Sequence, residues 1–537
     1  MCTAISRRTI LAGTAASAAA VLLAACGGSK ATDTPKPVGT TGAATTASSA
    51  AVAATKPAGS AVSATTAPAA TTSTTASGSA AVGTTAASGS APAGTTAAST
   101  GTGTLAPMTG ASAFKGKTLG YFQKVQYYKA VQDGIGNGIK SYATSVGASV
   151  DLSLASPDTG TNVQKVQAGV QNGSPFDFAD DIQVSPQQLI TLGLLTDVTA
   201  LTKQLTDAYG TLMPIVAPGL QVSGKFWAIP YFTSSDAWFV RKDWCAAKGI
   251  DPATLDTYEK CRDAALAISD PSKNQFGWGF SPYAVGDAAS DITHCVNSYG
   301  GSIQDKTGTK VVWNSPETVA AITFYSDIYT NPKYKNMLPP GVNGWTDTSN
   351  NEAWLAGTLG ITQNAYTLYA QSFATKNPVY DQTAIAPGYI GPATEQVIAT
   401  PGAGYLAVPK GAKNPDLARA TALHLIGGPA FLNLAKPSLG LIMPVYKNLW
   451  NADPFYTTGD PSFPALRTII EGKLPITTKT GYKFPFVSPI YEQGVNGQHI
   501  LNDMMGSIIQ KGVKPADAVK AAHDQLVQAA VQLGLPQ

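Results

Sequence analysis

Residues Lys225 to Ile268 read KFWAIPYFTSSDAWFVRKDWCAAKGIDPATLDTYEKCRDAALAI. An aromatic-x-Ile-Pro run, Trp227 to Pro230, opens one strand, and a second apolar run ends in the pair Lys242-Asp243. Gly249-Ile250-Asp251-Pro252 then breaks the chain, and Thr257 leads into a run with helical spacing. Upstream, Lys117 to Phe122 (KTLGYF), Ser149 to Leu154 (SVDLSL) and Phe176 to Ala179 (FDFA) have strand character. The segments between them, 130–145 and 162–171, carry helical periodicity. This βαβαβ order predicts an α/β fold built on a parallel sheet with helices on its faces.

Downstream the helix starts repeat one signal, a capping residue followed by proline: Ser185-Pro186, Ser315-Pro316 and Asn414-Pro415. Near the end, Lys514-Pro515 opens a helix whose Val519, Ala522, Leu526, Ala529 and Leu533 share one apolar face before Gly534 stops it.

The chain before Phe114 is of another kind. Arg7 and Arg8 precede an apolar run from Thr9 to Ala25, which reads as a secretory signal over residues 1–25. From Gly27 to Ser112 the charged residues are Lys30, Asp33, Lys36 and Lys56, and there is no Tyr, Trp, Phe or Ile. Such a segment buries too little apolar surface to offset its ordering entropy, so 26–112 is expected to be a disordered linker. Its root-mean-square span as a flexible chain is about 50 Å. The Thr and Ser density also permits an O-glycosylated stalk. That leaves 113–537 to fold, long enough for two lobes.

Of the charged residues, 31 basic and 32 acidic fall in that folded part, so its balance is near neutral. Charge calls for neither nucleic acid nor an anionic surface. His294, His424, His499 and His523 form no metal-binding spacing, and no metal or cofactor is expected. Three cysteines remain in the folded part, Cys245, Cys261 and Cys295, and the expected disulfide joins Cys245 to Cys261.

No GxSxG lies in the folded part, and Gly110 to Thr118 (GASAFKGKT) has the wrong spacing and position for a phosphate loop. Asp180-Asp181, at a strand end, suit a hydrogen-bonding or solvated role better than general acid–base work. Glu352 fits an exposed helical turn. An excess of aromatics beside turn residues is more informative: Trp227, Tyr231, Trp238, Trp278, Trp345, Tyr366 and Tyr369. Aromatic faces pack on the C–H faces of sugar rings while Asn, Asp and Gln bond hydroxyls, a mixture suited to a carbohydrate cleft. Core packing competes for each of them.

The opening stretch resembles the family 1 extracellular solute-binding proteins of ABC importers, the maltose-binding-protein-like group. Asn350 to Gln363 (NNEAWLAGTLGITQ), Gly404 to Tyr446, and Ile509 to Ala530 with its KGVKPADAVKAAHDQL are similar to later segments of that family in order and spacing. Tyr121 to Ile139 departs from the pattern and looks more like the opening of ribose-binding-type proteins, leaving open which of Phe122, Tyr127 and Tyr128 faces a ligand. Leu23-Ala24-Ala25-Cys26 resembles a bacterial lipobox, with lipid attachment at Cys26. Ser6 to Leu11 also looks like a twin-arginine signal, leaving the export route open.

The resemblance implies a two-lobed periplasmic-binding-protein fold with a hinged cleft, chain crossings near Pro230 and Gly402, and capture of a mono- or oligosaccharide for delivery to an ABC permease. It implies a monomer held to the outer face of the membrane by lipid alone, with no enzymatic activity. Mapped onto matching positions, the expected ligand contacts are Phe122 or Tyr127, Asp181 and Gln183 from one lobe, and Tyr231, Trp278, Tyr283, Trp345, Asn364 and Tyr366 from the other. Tyr405 and Tyr491 complete the set. A surface glycan-binding or sensor subunit without transport, and a glycan-active enzyme, are the alternatives.

Overall fold

In a computed structural model of the chain, the described residues are 111–537 without 157–158, 183, 285, 387–388, 392–393, 399–400, 472–475 and 478–487. The signal segment, Cys26, the linker and Gln183 lie outside them. The chain starts with β1 (Thr118–Gln123), α1 (Lys129–Ser145), β2 (Ser149–Leu154), α2 (Thr159–Gln171) and β3 (Phe178–Ala179). The three strands form a parallel sheet in the order β2-β1-β3, with Thr118 opposite Ser149 and Tyr121 opposite Phe178. Gly136 and Ile139 are buried on the inner side of α1, the side its 3.6-residue period aligns with Val131 and Ile135.

Asp177 binds this sheet to a distant part of the chain. Its carboxylate accepts from Gly120 N at 3.0 Å and Asn414 N at 2.6 Å, and Asn414 Nδ2 donates to Thr118 O at 2.9 Å. Asn414 precedes the helix Pro415–Ile426, yet its side chain does not cap that helix. The amide is spent on the sheet instead. Ser315 does cap its own helix, Pro316–Thr330, by accepting from Thr318 N at 3.2 Å.

A second sheet orders its strands as Thr383–Ala386, Ala237–Arg241, Leu359–Asn364 and Phe276–Trp278. Between the two sheets the chain crosses on a pair of antiparallel strands: outgoing Ile229–Ser235 and returning Pro401–Leu406. Pro230 stands opposite Tyr405 and Gly402 opposite Ser234. Just past the returning strand, Ala407 bridges to Ala179 at the end of β3, so the crossing is continuous with the first sheet.

Two clusters of buried apolar residues fill the core, and the first also takes in Phe239, Phe276 and Leu359 from one face of the second sheet. One runs from Leu119 and Ile135 through the crossing strands to Leu417 and Leu466; the other gathers Trp238, Trp278, Trp313, Ile490 and Leu526. The terminal helices Ile500–Lys511 and Pro515–Gln532 pack on the second cluster, and Gly534, at φ 73°, follows them in a conformation that suits glycine. The molecule is a two-lobed α/β fold. No helix among the described residues is long and apolar enough to cross a membrane.

The expected disulfide is not formed: Cys245, Cys261 and Cys295 remain thiols, all fully buried in the second cluster. The Cys261 thiol donates to Leu255 O at 3.8 Å, and Cys295 to Ala321 O at 3.9 Å. Burial pushes the Cys245 thiol up to about 11, with the Asp243 carboxylate adding to it. Such a thiol is unreactive at neutral pH.

Candidate functional site

The carboxyl ends of β1 and β3 open toward the crossing strands, the place where parallel α/β sheets present ligand sites. Lys124 and Tyr127 follow β1; Asp180 and Asp181 follow β3. Lys124 Nζ is 3.1 Å from Asp181 Oδ2, with both side chains partly exposed. Asp180 is buried beneath them, accepting from Lys124 N at 2.6 Å and from Tyr121 OH at 3.1 Å. Neighbouring residues on an extended segment point to opposite sides, so one carboxylate faces the rim and the other the core.

The second lobe supplies a polar rim. Asn364, at the end of its strand, donates to Asn351 Oδ1; Asn351 Nδ2 donates to Thr367 Oγ1 at 3.0 Å; Thr367 Oγ1 donates to Asn364 Oδ1 at 3.3 Å. This closed triangle holds the Asn364 amide at a half-buried position. Beside it stands an acidic group formed by Asp236, Asp287, Asp291 and Asp347, with Asp287 N donating to Asp347 Oδ1 at 3.2 Å. Burial, then the Asp347 and Asp236 charges, pushes Asp287 up to about 8. Both effects favour the protonated form of Asp287.

Burial and then the Glu352 carboxylate push the Tyr127 phenol up. Glu352 is exposed on the helix Ser349–Leu355 and accepts from Thr348 Oγ1 at 3.0 Å. No group of three or more metal-ligating side chains is found among the described residues.

The residues expected from sequence divide by burial. Tyr127, Asp181, Tyr283, Trp345 and Asn364 are half-buried and open to contact. Phe122 is fully buried, stacked on Phe176 at 4.5 Å with Lys165 Nζ 5.2 Å from its ring centre, and so is core. Trp278 is also core: its Nε1 donates to Tyr329 OH at 3.1 Å and its ring lies 4.4 Å from that of Phe280. Tyr231, Tyr366, Tyr405 and Tyr491 are likewise buried. Tyr366 packs edge-on to Phe239 and against Gly440, where a Cβ would lie 2.4 Å from the ring. Tyr405 OH donates to Val184 O at 2.8 Å, binding the returning strand to the loop after β3. Tyr283 lies toward the terminal helices, bordering a cavity of about 830 Å³ with Asn502, Gln510 and Asp517, and its hydroxyl accepts from Gln510 Nε2 at 2.5 Å.

Lys124, Asp180, Asn351 and Asp287 were not singled out as contacts by residue type and spacing. The signal for Asp180 was present in the Asp180-Asp181 pair; those for Lys124 and Asn351 were not, because they depend on strand ends meeting.

Residues 139–461 match the family model described as bacterial extracellular solute-binding protein, more than half of the chain. The chain belongs to this family. As a solute-binding protein it is an exported protein, and its family is one of binders. Its fold matches an ABC transporter solute-binding protein of Thermotoga lettingae bound with α-D-tagatose, at 17% identity and a TM-score of 0.64 over 77% of this chain and all of that one. A solute-binding protein of Agrobacterium radiobacter in complex with ribitol matches at 20% identity and 0.64, over 78% of this chain and 99% of that one. Maltose-bound MalE3 of T. maritima matches at 19% and 0.62, over 76% and 99%. Comparison of the sequence with curated proteins finds no match.

Proposed function

We propose that this solute-binding protein is the receptor of an ABC importer, capturing a carbohydrate or polyol between its lobes and handing it to the permease. The observation that carries this reading is a first-lobe rim of Tyr127 with the Lys124–Asp181 pair, together with the hydrogen-bonded Asn364 amide at the end of a second-sheet strand. Such a set bonds many hydroxyls and calls for no formal charge on the solute. Proteins of the same fold bound to tagatose, ribitol and maltose support the same class. Ligand contacting both rims favours the closed arrangement, which the permease reads. Lipid at Cys26 and the long linker after it would keep the lobes near the permease while leaving them free to open and close.

A thermal-shift screen of mono- to tetrasaccharides, polyols, amino acids and peptides tests this. A solute at a hundred times its dissociation constant stabilises the folded state by about 2.7 kcal/mol. A shift with an amino acid or peptide and with no sugar or polyol refutes the assignment.

A further inference from the structure

Asp180 occupies the junction of four segments. β1 contributes Tyr121, whose hydroxyl donates to Oδ2; the turn after β1 contributes Lys124, whose backbone N–H donates to Oδ1. Asp181 is its chain neighbour. The outgoing crossing strand contributes Tyr231, whose buried hydroxyl has no hydrogen-bond partner among the described residues, and the returning strand contributes Tyr405. These are the titratable groups that face it: Tyr121, Lys124, Asp181, Tyr231 and Tyr405.

The 2.6 Å bond to Lys124 N fixes the backbone at the point where the lysine leaves the strand. The ammonium of the same lysine pairs with Asp181 at 3.1 Å on the rim. One buried carboxylate therefore sets the geometry of the exposed ion pair. With Asp180 ionised, the three charges sum to minus one; with Asp180 protonated, they cancel. Burial pushes Asp180 up to about 7, with Asp181 adding, while the Lys124 N–H, the Tyr121 hydroxyl and the Lys124 ammonium hold it down.

We propose that Asp180 is a positioning residue for the first-lobe half of the cleft: it sets the Lys124 backbone, and its charge state decides whether Lys124 and Asp181 meet the solute as a balanced pair or with one excess negative charge. The proposal rests on the reading of this cleft as the solute site. Closing the lobes strips water from the rim, which costs more when an excess charge stands there. Closure therefore takes up a proton, and binding is tighter at pH 6 than at pH 8. A rise of one unit in the Asp180 pKa on closure corresponds to a tenfold change in dissociation constant.

The test has two readouts on the full chain. Lysine-selective ¹⁵N labelling follows the Lys124 amide, identified by the peak lost in Lys124→Arg. A pH step near neutrality is expected in the wild type and none in Asp180→Asn, whether or not any solute binds. Titration calorimetry with maltose, ribitol and D-tagatose from pH 6 to 8 then expects about a fivefold weakening in the wild type, the part of the full tenfold that falls in this window, and a flat profile in Asp180→Asn. A featureless Lys124 amide between pH 5 and 9, or an identical step in Asp180→Asn, overturns the proposal. Binding that is unchanged with pH in the wild type overturns its functional half. Absence of binding by all three sugars at any pH counts against the carbohydrate reading, and the amide step still decides the positioning role.

Discussion

Asp460 offers the sharpest test of how the two lobes are tied. It is 2% exposed and lies just before the helix Phe463–Ile470, which packs on the outgoing crossing strand. Its Oδ1 accepts from Ser462 N at 2.8 Å and Ser462 Oγ at 2.6 Å; its Oδ2 accepts from Tyr380 OH at 2.7 Å and Tyr369 OH at 3.1 Å. Tyr369 belongs to the helix Thr367–Ala374, which follows a strand of the second sheet. One carboxylate thus joins the second sheet's helix to the elements around the crossing. A hydrogen bond to a charged acceptor contributes about 1.5–3 kcal/mol net, and a buried donor left unpaired costs about 1–3 kcal/mol. Tyr380 is half-buried and regains water, and bonds to one acceptor do not add fully, so Asp460→Ala should cost about 4 kcal/mol. Tyr380→Phe, which removes one donor and leaves Asp460 with three, should cost about 1 kcal/mol. Urea unfolding monitored by tryptophan fluorescence measures both. A loss below about 1 kcal/mol for Asp460→Ala, or equal losses for the two variants, would refute the reasoning.

Trp278→Phe should lower stability by about 2 kcal/mol through the cavity and the lost bond to Tyr329, and leave solute affinity unchanged, since the ring is core. Tyr127→Ala should do the reverse, with affinity falling at least tenfold in titration calorimetry and the unfolding midpoint nearly unmoved. Equal affinity losses in both would return Trp278 to the site. For pH, Asp287 is raised in the folded state to about 8, so the native protein holds a proton that the unfolded chain releases near the ordinary carboxylate value. Its contribution to stability is complete below about pH 4, falls as pH rises toward 8, and is flat above. The melting-temperature difference between Asp287→Asn and wild type should therefore climb from pH 5 to pH 8; a level difference removes Asp287 from the account.

The first sheet was legible because its signals are local. Alternating and apolar runs set β1 and β2 to within a residue, and the helical periodicity of 130–145 set α1. The site was less so. An aromatic beside a turn has the same sequence appearance whether its ring meets solvent or, like Trp278, the rings of Trp238 and Phe280. Cys245 and Cys261 fall in one local segment, but each is enclosed by apolar neighbours, a fact set by how distant elements pack. Asp180 and Asp181 are indistinguishable by type, and only the sheet decides which of them is buried.

The buried aromatics are better understood as parts of the crossing than as failed ligand contacts. Tyr231 stands on the outgoing strand and Tyr405 on the returning one; burial pushes both phenols up, and nearby carboxylate charge adds to it, from Asp180 at Tyr231 and from Asp181 and then Asp180 at Tyr405. The pairing of these strands is irregular between Gly404 and Tyr405, and a Cβ at Gly404 would lie 2.1 Å from the ring of Phe232. A side chain there would drive the two crossing strands apart, so glycine is what lets an aromatic-rich strand pair stay in register where it bends. The same strand pair carries Tyr231 and Tyr405 into the floor of the first-lobe site. A change in the bend is then a change in the surroundings of Asp180, which is why the proton on that carboxyl and the position of the lobes belong to one equilibrium.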